Sequence, residues 1–302
     1  MADPRRPRPR TEQPNPKTRD LDRLELRELL ARILDEDARV AAAVRAALPQ
    51  LERACELLVE RLARGGRWFN AGAGTSGRIG LLDAAEIPPT FGFPAQRVQA
   101  LIAGGEPALS RAVEHAEDDA EDAVRSLEAR GLCAADALVA LSASGTTPYA
   151  LAAAAHARRV GAATIAVTCD PEAPLAHACD VAIAVDVGPE VIAGSTRMKG
   201  GLAQKMVLHT LSTAAMVRLG RVRGNLMTGV RAANQKLRER ALWIATELAG
   251  CSRQEAQRAL DASGGDVERA LQLLGSSADA AENFQALSAT QQQQVIDFLN
   301  TI

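Results

Sequence analysis

Five short apolar runs alternate with helical patterns between residues 68 and 219, and this alternation constrains the fold more than any other feature of the sequence. The predicted strands cover residues 68–71, 98–103, 137–141, 163–168 and 181–187. The predicted helices cover residues 77–85, 108–129, 148–158 and 196–219. Because strands that alternate with helices form a parallel sheet with helices on both faces, we predict a doubly wound α/β domain with a five-stranded parallel sheet.

Helical patterns flank this predicted sheet on both sides. Apolar residues recur at spacings of three and four over about residues 21–64, as in amphipathic helices. Beyond about residue 234 the pattern is helical only, and Ser252 with Glu255 fits a capping box. Gly264-Gly265-Asp266 predicts a turn before a helix over residues 267–274, a pattern that resembles a ubiquitin-associated module. From residue 275 we expect a loose polar tail that ends in an amphipathic helix over residues 289–299.

Composition and the start of the chain exclude several classes of function. A net charge of −2 and 3% aromatic residues offer neither a basic surface for nucleic acid nor rings to stack on bases. No apolar run approaches the ~20 residues of a membrane-spanning helix. The first ten residues are basic and proline-rich, and no hydrophobic stretch follows them. We therefore expect a disordered tail over residues 1–20 rather than a secretory signal.

The cysteines and histidines do not indicate a metal site. Neither residue type shows the spacing of metal ligands, and the odd number of cysteines favours reduced thiols in a cytoplasmic protein. The five cysteines are Cys55, Cys133, Cys169, Cys179 and Cys251. We expect no metal ion and no other cofactor.

The loop after the first predicted strand is the strongest candidate for a ligand site. Gly74, Thr75 and Ser76 lie where this strand gives way to a helix. Free backbone N–H groups and the positive end of the helix dipole at such a point favour an anion such as phosphate. The loop lacks the glycine spacing of nucleotide-binding motifs. Pro88 and Pro89 predict the end of this helix, which puts Glu86 at or near its last turn.

A second loop of similar character follows the third predicted strand. Ser142, Ser144 and Thr147 bring several hydroxyl groups together just before a predicted helix. Alone, such a turn is as typical of a helix cap as of a ligand site. Ligands of doubly wound sheets bind at the carboxyl ends of the strands, so the two loops together favour a phosphate pocket.

Six motifs together resemble those of the N-acetylmuramic acid 6-phosphate etherase family, in the family's order and spacing. They occupy residues 11–16, 72–92, 116–119, 142–149, 188–205 and 224–227. The resemblance implies a flavodoxin-like sugar isomerase (SIS) domain over residues 58–221. N-terminal helices over residues 21–57 would pack on it, and a helical module over residues 222–275 would precede the tail at 276–302.

The resemblance also implies a reaction. The family cleaves the D-lactyl ether of N-acetylmuramate 6-phosphate to give N-acetylglucosamine 6-phosphate and D-lactate, in peptidoglycan recycling. Once the sugar ring opens, the C2 proton is acidic and the lactyl oxygen on C3 is a leaving group. Elimination and hydration then need two proton carriers, without a metal or redox cofactor. The acid would need its pKa raised by burial or by a neighbouring negative charge.

The family's site residues map onto this chain one by one. Glu86 matches the principal catalytic acid or base and Glu117 the second catalytic glutamate, and the assignment of the two steps stays open. Without the resemblance, Glu117 would be interpreted as a solvated residue of an acidic helix. Arg197 and Lys199 are expected either to neutralise phosphate or the lactyl carboxylate, or to pair with surface acids. Phosphate is expected at Gly74, Thr75, Ser76, Ser142, Ser144 and Thr147.

Several departures from the family pattern support a second hypothesis, a regulator like the glucokinase regulatory protein that binds a sugar phosphate without turnover. Thr146 stands where the family usually has arginine, Gly229 replaces aspartate and Ala233 replaces threonine. His115 in place of glycine and residues 276–302 also depart from the family pattern. Glu86 and Glu117 together favour the enzyme. A sugar-phosphate isomerase is a third hypothesis, but it would need neither the segment at 88–92 nor the C-terminal module.

Helix geometry predicts that two subunits share the active site. Ser76 and Glu86 are ten residues apart, which separates them by roughly 15 Å on a straight helix, more than one sugar phosphate spans. A symmetric homodimer would bring the helix end of a second copy beside the phosphate loop. A short or bent helix would instead leave the site within one chain.

Overall fold

The computed structural model describes residues 9–230, 235–285, 288, 291–293 and 296. These residues form two compact units. The first contains the described residues up to Pro88 together with Pro94–Leu219, and the second contains Pro89–Phe93 and the described residues from Gly220 onwards. In the described part of the chain, no helix is both long enough and apolar enough to cross a bilayer.

The first unit is built on a five-stranded parallel sheet, which confirms the predicted fold class. Its strands are β1 (Trp68–Gly72), β2 (Val98–Ile102), β3 (Ala137–Leu141), β4 (Ala163–Thr168) and β5 (Val181–Ala184). Their order is β2-β1-β3-β4-β5, as in flavodoxin-like folds. The connections leave β1 and β3 in opposite directions across the sheet, so the crevice between the carboxyl ends of these two strands is the expected ligand site.

Helices cover both faces of this sheet. They are α1 (Leu26–Asp37), α2 (Val40–Ala46), α3 (Leu48–Ala63), α4 (Gly74–Phe91), α5 (Pro107–Ser110), α6 (Ala120–Ala129), α7 (Pro148–Arg159), α8 (Pro174–Ala178) and α9 (Lys199–Arg218). Phe69 and Ala71 are buried in a cluster with residues of α6 and α7. Asn70 faces the opposite side, where its side-chain N–H donates to the Gly80 carbonyl of α4 at 3.0 Å.

Helix α4 is longer than predicted, and the expectation that Pro88 and Pro89 end it was wrong. It begins at Gly74 and continues through both prolines to Phe91. The preference of a residue before proline for extended backbone is a bias that packing can overcome. Ile87, just before the first proline, is only 2% exposed and holds this turn against the core. Glu86 therefore lies within the helix rather than at its end.

The single helix predicted over residues 108–129 is also wrong, because the chain forms α5, a 3-10 turn at Ala116–Asp118 and then α6. His115 has a φ of 62°, which is incompatible with a right-handed helix. The Asp119 carboxylate accepts a hydrogen bond from the Asp122 amide at 2.8 Å and so caps the start of α6. Glu117 consequently lies on a turn and not on a helix.

The N-terminal segment is ordered where the sequence predicts disorder. Within the predicted tail, 3-10 turns form at Arg10–Glu12 and Pro16–Thr18. The Gly194 amide donates to the Thr11 carbonyl at 3.0 Å, and the Thr18 hydroxyl donates to the Val191 carbonyl at 2.8 Å. These contacts fasten the segment to the loop after β5, so the predicted disorder is wrong for residues 10–20. Residues 1–8 lie outside the described residues.

The second unit combines a small antiparallel pair with helices. It contains β6 (Val222–Arg223), β7 (Leu226–Met227), α10 (Gln235–Ala249), α11 (Arg253–Ala262) and α12 (Val267–Gln285). Both hydrogen bonds of the predicted capping box between Ser252 and Glu255 are present, which confirms it. The helix expected to end at residue 274 continues to Gln285, because the segment is rich in alanine, a strong helix former. Of the helix predicted over 289–299, residues 291–293 and 296 are described and helical.

Candidate active site

A tight turn joins β1 to α4 and leaves the first amides of α4 without helical partners. Gly74 has a φ of 53°, a conformation that glycine adopts freely. A Cβ on Gly77 would lie 2.6 Å from the Gly72 carbonyl oxygen, so only glycine fits this close approach. Thr75 and Ser76 follow in the first turn of α4. The geometry is that of an anion site at a helix N-terminus.

The hydroxyl groups of the second loop converge on one another. The Ser142 Oγ lies 2.9 Å from Thr147 Oγ1 and 3.4 Å from Ser144 Oγ. Thr147 occupies the N-cap position of α7, but its side chain makes no capping hydrogen bond. Instead, Ser142 Oγ accepts a hydrogen bond from the Gly145 amide at 3.0 Å, and Ser144 Oγ accepts one from the Thr146 amide at 3.3 Å. These hydroxyls therefore stabilise the turn before α7.

The two loops begin side by side at the crevice between β1 and β3. Gly72 and Leu141, the last residues of these strands, are register partners. The start of α9 reaches the same corner: a Cβ on Gly200 would lie 3.1 Å from the Ala143 Cβ, and one on Gly201 would lie 3.4 Å from a Thr75 methyl carbon. Three chain segments thus meet where the fold predicts a ligand.

A cavity of about 410 Å³ opens beside the N-terminus of α4, and both Gly74 and Glu117 line it. The Arg78 guanidinium shapes its wall, because its Nε donates to the carbonyls of Ala108 (3.0 Å) and Leu109 (3.2 Å). The structure therefore brings Glu117 into one cavity with Gly74 of the first loop. The other residues predicted to bind phosphate do not line this cavity; they are Thr75, Ser76, Ser142, Ser144 and Thr147. Glu86 does not line this cavity; it is exposed on α4, three turns beyond Gly74.

The structure gives Lys199 a role that neither sequence interpretation included. Its side chain is fully buried, and its ammonium Nζ lies 2.6 Å from an oxygen of buried Glu36. The Glu190 carboxylate accepts from the amides of Lys199 (3.0 Å) and Gly200 (2.8 Å), which occupies the first amides of α9. The Lys199 ammonium is thus paired with a carboxylate of its own chain, and we leave Lys199 out of the proposed site. Arg197, two residues earlier, is exposed.

Sequence reasoning missed several buried acids. Burial works to raise the pKa of Glu36, but the hydrogen bond and charge of Lys199 outweigh it, and the pKa lies below its ordinary value. Burial raises the pKa of Glu190 and that of Asp83. Ser212 Oγ donates to one oxygen of Asp83 at 3.0 Å. Asp83 and Glu190 lie within the motifs at 72–92 and 188–205, but nothing in their spacing separates a buried acid from an exposed one.

The structure shows the surroundings of three of the four single residues that depart from the family pattern. Thr146 is exposed, and its Oγ1 lies 2.9 Å from Ser144 Oγ, so it extends the hydroxyl cluster. A Cβ on Gly229 would lie 1.8 Å from the Phe91 carbonyl oxygen, so this backbone arrangement requires glycine. His115 lines the cavity with Glu117. Ala233 lies outside the described residues.

The five-stranded sheet order and the two glycine- and hydroxyl-rich loops at the ends of β1 and β3 are those of a protein of the SIS class. Residues 115–214 match the SIS domain, residues 50–158 match the glucokinase regulatory protein N-terminal SIS domain, and residues 246–273 match a UBA-like domain. A phosphoheptose isomerase from Francisella tularensis has the same fold, with a TM-score of 0.52 at 18% identity, covering 64% of this chain and 100% of that one. The solved structure of an Escherichia coli protein gives a TM-score of 0.50 at 17% identity, covering 67% and 97%.

Sequence relatives narrow this class to one family. The N-acetylmuramic acid 6-phosphate etherase of Mycolicibacterium smegmatis is 51% identical over 273 residues, covering 90% of this chain and 92% of that protein. The etherase of Gloeobacter violaceus is 50% identical over 279 residues, covering 92% and 91%. The chain belongs to the N-acetylmuramic acid 6-phosphate etherase family, a family of carbon–oxygen lyases. This membership favours the enzyme over the regulator, the second hypothesis from the sequence.

Proposed function

We propose that the protein cleaves the D-lactyl ether of N-acetylmuramic acid 6-phosphate and releases N-acetylglucosamine 6-phosphate and D-lactate, as a cytoplasmic step of peptidoglycan recycling. The observation that carries this proposal is that Gly74, at the anion-binding end of α4, and Glu117 line one cavity. A carboxylate is thereby available as a proton carrier beside the point where the sugar's phosphate binds.

The phosphate end of the substrate binds at the crevice between β1 and β3. The amides of Gly74, Thr75 and Ser76 meet the phosphate oxygens with the positive end of the α4 dipole behind them. The hydroxyls of Ser142, Ser144 and Thr147 contribute from the adjacent loop, supported by their mutual distances of 2.9–3.4 Å. Exposed Arg197 adds positive charge near the start of α9.

Anchoring the phosphate fixes the sugar carbons relative to the two proton carriers. In the open-chain sugar the C1 aldehyde makes the C2 proton acidic, and a carboxylate removes it as the bond from C3 to the lactyl oxygen breaks. A carboxylic acid protonates the departing oxygen, and water then adds at C3 of the unsaturated aldehyde. General acid–base catalysis of this kind typically contributes about 10²–10⁴-fold in rate. Glu117 is one of the two groups, and Glu86 is the other.

Glu86 reaches the substrate from the partner subunit of a homodimer. The length of α4 supports this part of the proposal, because a short helix was one of the alternatives that kept the site within one chain. A symmetric dimer would bring the exposed Glu86 of each copy beside the phosphate loop of the other. Each of the two sites would then contain Glu117 from one chain and Glu86 from its partner.

Release of D-lactate from N-acetylmuramic acid 6-phosphate by the purified protein tests the proposal directly. Turnover in heavy water is expected to place deuterium at C2 of N-acetylglucosamine 6-phosphate. Turnover in ¹⁸O-water is expected to label O3 of the sugar and not the lactate hydroxyl. Label in lactate would indicate direct displacement, and tight sugar-phosphate binding without any lactate would indicate the regulator instead.

A further inference from the structure

His115 has a backbone conformation that L-amino acids rarely adopt. Its φ is 62°, and among the described residues no other residue apart from glycine has a positive φ. This region is strained for any residue with a Cβ, although histidine enters it more often than most. The chain therefore carries strain at a position where glycine would remove it.

No side-chain contact in the described part of the chain offsets this strain. The imidazole is exposed, and no hydrogen bond or ion pair of the ring occurs among the described residues. The backbone of His115 does have a structural role: its carbonyl accepts from the Asp118 amide at 3.1 Å and begins the turn that carries Glu117. Glycine would fill that backbone role equally well, so the side chain needs a separate explanation. Strained residues are concentrated at functional sites.

His115 belongs to an acidic segment of the cavity lining. His115 lines the cavity together with Glu114, Glu117 and Asp118. Arg78 also lines it, but its guanidinium already donates to three backbone carbonyls of residues 108, 109 and 111. A negatively charged group that approaches this segment meets three carboxylates, which repel it.

We propose that His115 determines specificity by donating a hydrogen bond from its imidazole to the carboxylate of the substrate's lactyl group. This inference rests on the proposed function. With the phosphate at the N-terminus of α4, the substrate's second anionic group falls at the acidic segment of the cavity lining, beside Glu117. The imidazole has one N–H donor when neutral and two when protonated, so it can donate in either state. The hydrogen bond compensates for repulsion from Glu114 and Asp118.

Binding of two ligands that differ by the lactyl group tests this role. N-acetylmuramic acid 6-phosphate carries the carboxylate, and N-acetylglucosamine 6-phosphate does not. Calorimetry on the Glu86→Gln variant, which is expected to be about 10²–10⁴-fold slower and keeps all three cavity carboxylates, measures both dissociation constants before and after adding His115→Gly. We expect His115→Gly to weaken binding of N-acetylmuramic acid 6-phosphate at least about tenfold, as for loss of a hydrogen bond to a charged group. The second ligand should change less than about twofold, and Tm should stay the same or rise as the strain is removed.

His115→Asn provides the matched control, because asparagine tolerates a positive φ and keeps a donor. It should retain more affinity for the lactyl ligand than His115→Gly does. Equal weakening of the binding of both ligands would overturn the inference, because His115 would then act on the sugar or on the shape of the loop. Unchanged affinity for both ligands would overturn it as well. If the wild-type protein releases no lactate, the proposed function fails, and the same two dissociation constants still decide the role of His115.

Discussion

Glu86 follows Gly74 by twelve residues on one uninterrupted helix, α4. At 1.5 Å per residue this places the carboxylate-bearing turn about 18 Å from the anion-binding end of the helix. Glu117, by contrast, lines the same cavity as Gly74. Within one chain, Glu86 therefore lies far from Gly74, whereas Glu117 shares a cavity with it. Separate experiments distinguish the roles of the two glutamates.

Replacing Glu86 with glutamine is expected to reduce lactate release by about 10²–10⁴-fold, the usual contribution of a general acid or base. Binding of N-acetylglucosamine 6-phosphate, measured by calorimetry, should remain largely unchanged because the phosphate loop is intact. A variant that keeps more than about a tenth of wild-type turnover would remove Glu86 from the mechanism.

The same change at Glu117 should also slow turnover substantially, because its carboxylate shares the cavity with Gly74 of the first loop. Glu121→Gln is the matched control: this residue lies on α6, its side chain is 90% exposed, and it does not line the cavity. Steady-state rates of lactate release compare the two variants. If both have wild-type rates, Glu117 is a surface acid like Glu121.

A shared site predicts recovery of activity when two inactive variants are mixed. Glu86→Gln lacks one carboxylate, and Ser76→Ala with Ser144→Ala lacks two of the proposed phosphate ligands. Random exchange makes half of the dimers mixed, each with one intact site, so activity should recover towards about a quarter of wild type. Native mass spectrometry checks that subunits exchange. Absence of recovery after proven exchange would place the whole site within one chain.

Restoring arginine at position 146 is expected to tighten binding of a sugar phosphate. Thr146 is exposed beside Ser144, and a guanidinium there would add a charge-assisted hydrogen bond to an anion. Calorimetry with N-acetylglucosamine 6-phosphate for Thr146→Arg, with Thr146→Gln as an uncharged control of similar length, measures the effect. Equal affinities for the two variants would show that the charge at this position does not act on the phosphate.

Replacing Lys199 with methionine should destabilise the fold, because it removes the buried ammonium that lies 2.6 Å from the Glu36 carboxylate. In the described part of the chain, the partners that remain are the Asn15 amide and the exposed cations of Arg39 and Lys17. Breaking one side of a buried ion pair typically costs about 3–5 kcal/mol in the free energy of unfolding. Lys17→Met is the control, since its exposed ammonium lies 3.9 Å from the same carboxylate and should contribute less than about 1 kcal/mol. Urea unfolding measures both. If the Lys199→Met protein is as stable as the wild type but binds substrate more weakly, Lys199 belongs to the substrate-binding site.

The pH dependence of that stability has a definite sign. In the wild-type protein the pKa of Glu36 lies below its ordinary value of 4.5. The pair of Glu36 with Lys199 therefore stabilises the fold above that pH. This stabilisation is lost as the pH falls through the folded-state pKa. Without Lys199, burial is opposed only by the remaining Asn15 hydrogen bond and Arg39 charge among the causes that lower this pKa, so the pKa should rise relative to the wild-type protein. The difference in unfolding free energy between the two proteins should therefore shrink below about pH 4.5. If the difference in unfolding free energy stays constant with pH, the effect of Lys199 on stability does not arise from its pairing with Glu36.

The sequence by itself determined the sheet, the two loops and the capping box at Ser252 and Glu255. Each of these is written in short-range patterns: apolar runs of strand length, glycines and hydroxyl residues at strand ends, and a polar pair three residues apart. The predicted strands therefore coincide with the observed ones to within a few residues, with β5 ending at Ala184 rather than at residue 187.

The tertiary structure alone decided which of the motif's polar groups are free to meet a ligand. Lys199 pairs with Glu36, 163 residues away in the sequence, and no local pattern specifies a partner at that distance. Packing also carried α4 through Pro88 and Pro89, and the left-handed backbone of His115 divided the predicted helix at 108–129. For Lys199 and for α4, the free energy of burying and pairing distant groups outweighed the local preference of the chain, and local preference is all that a sequence pattern records.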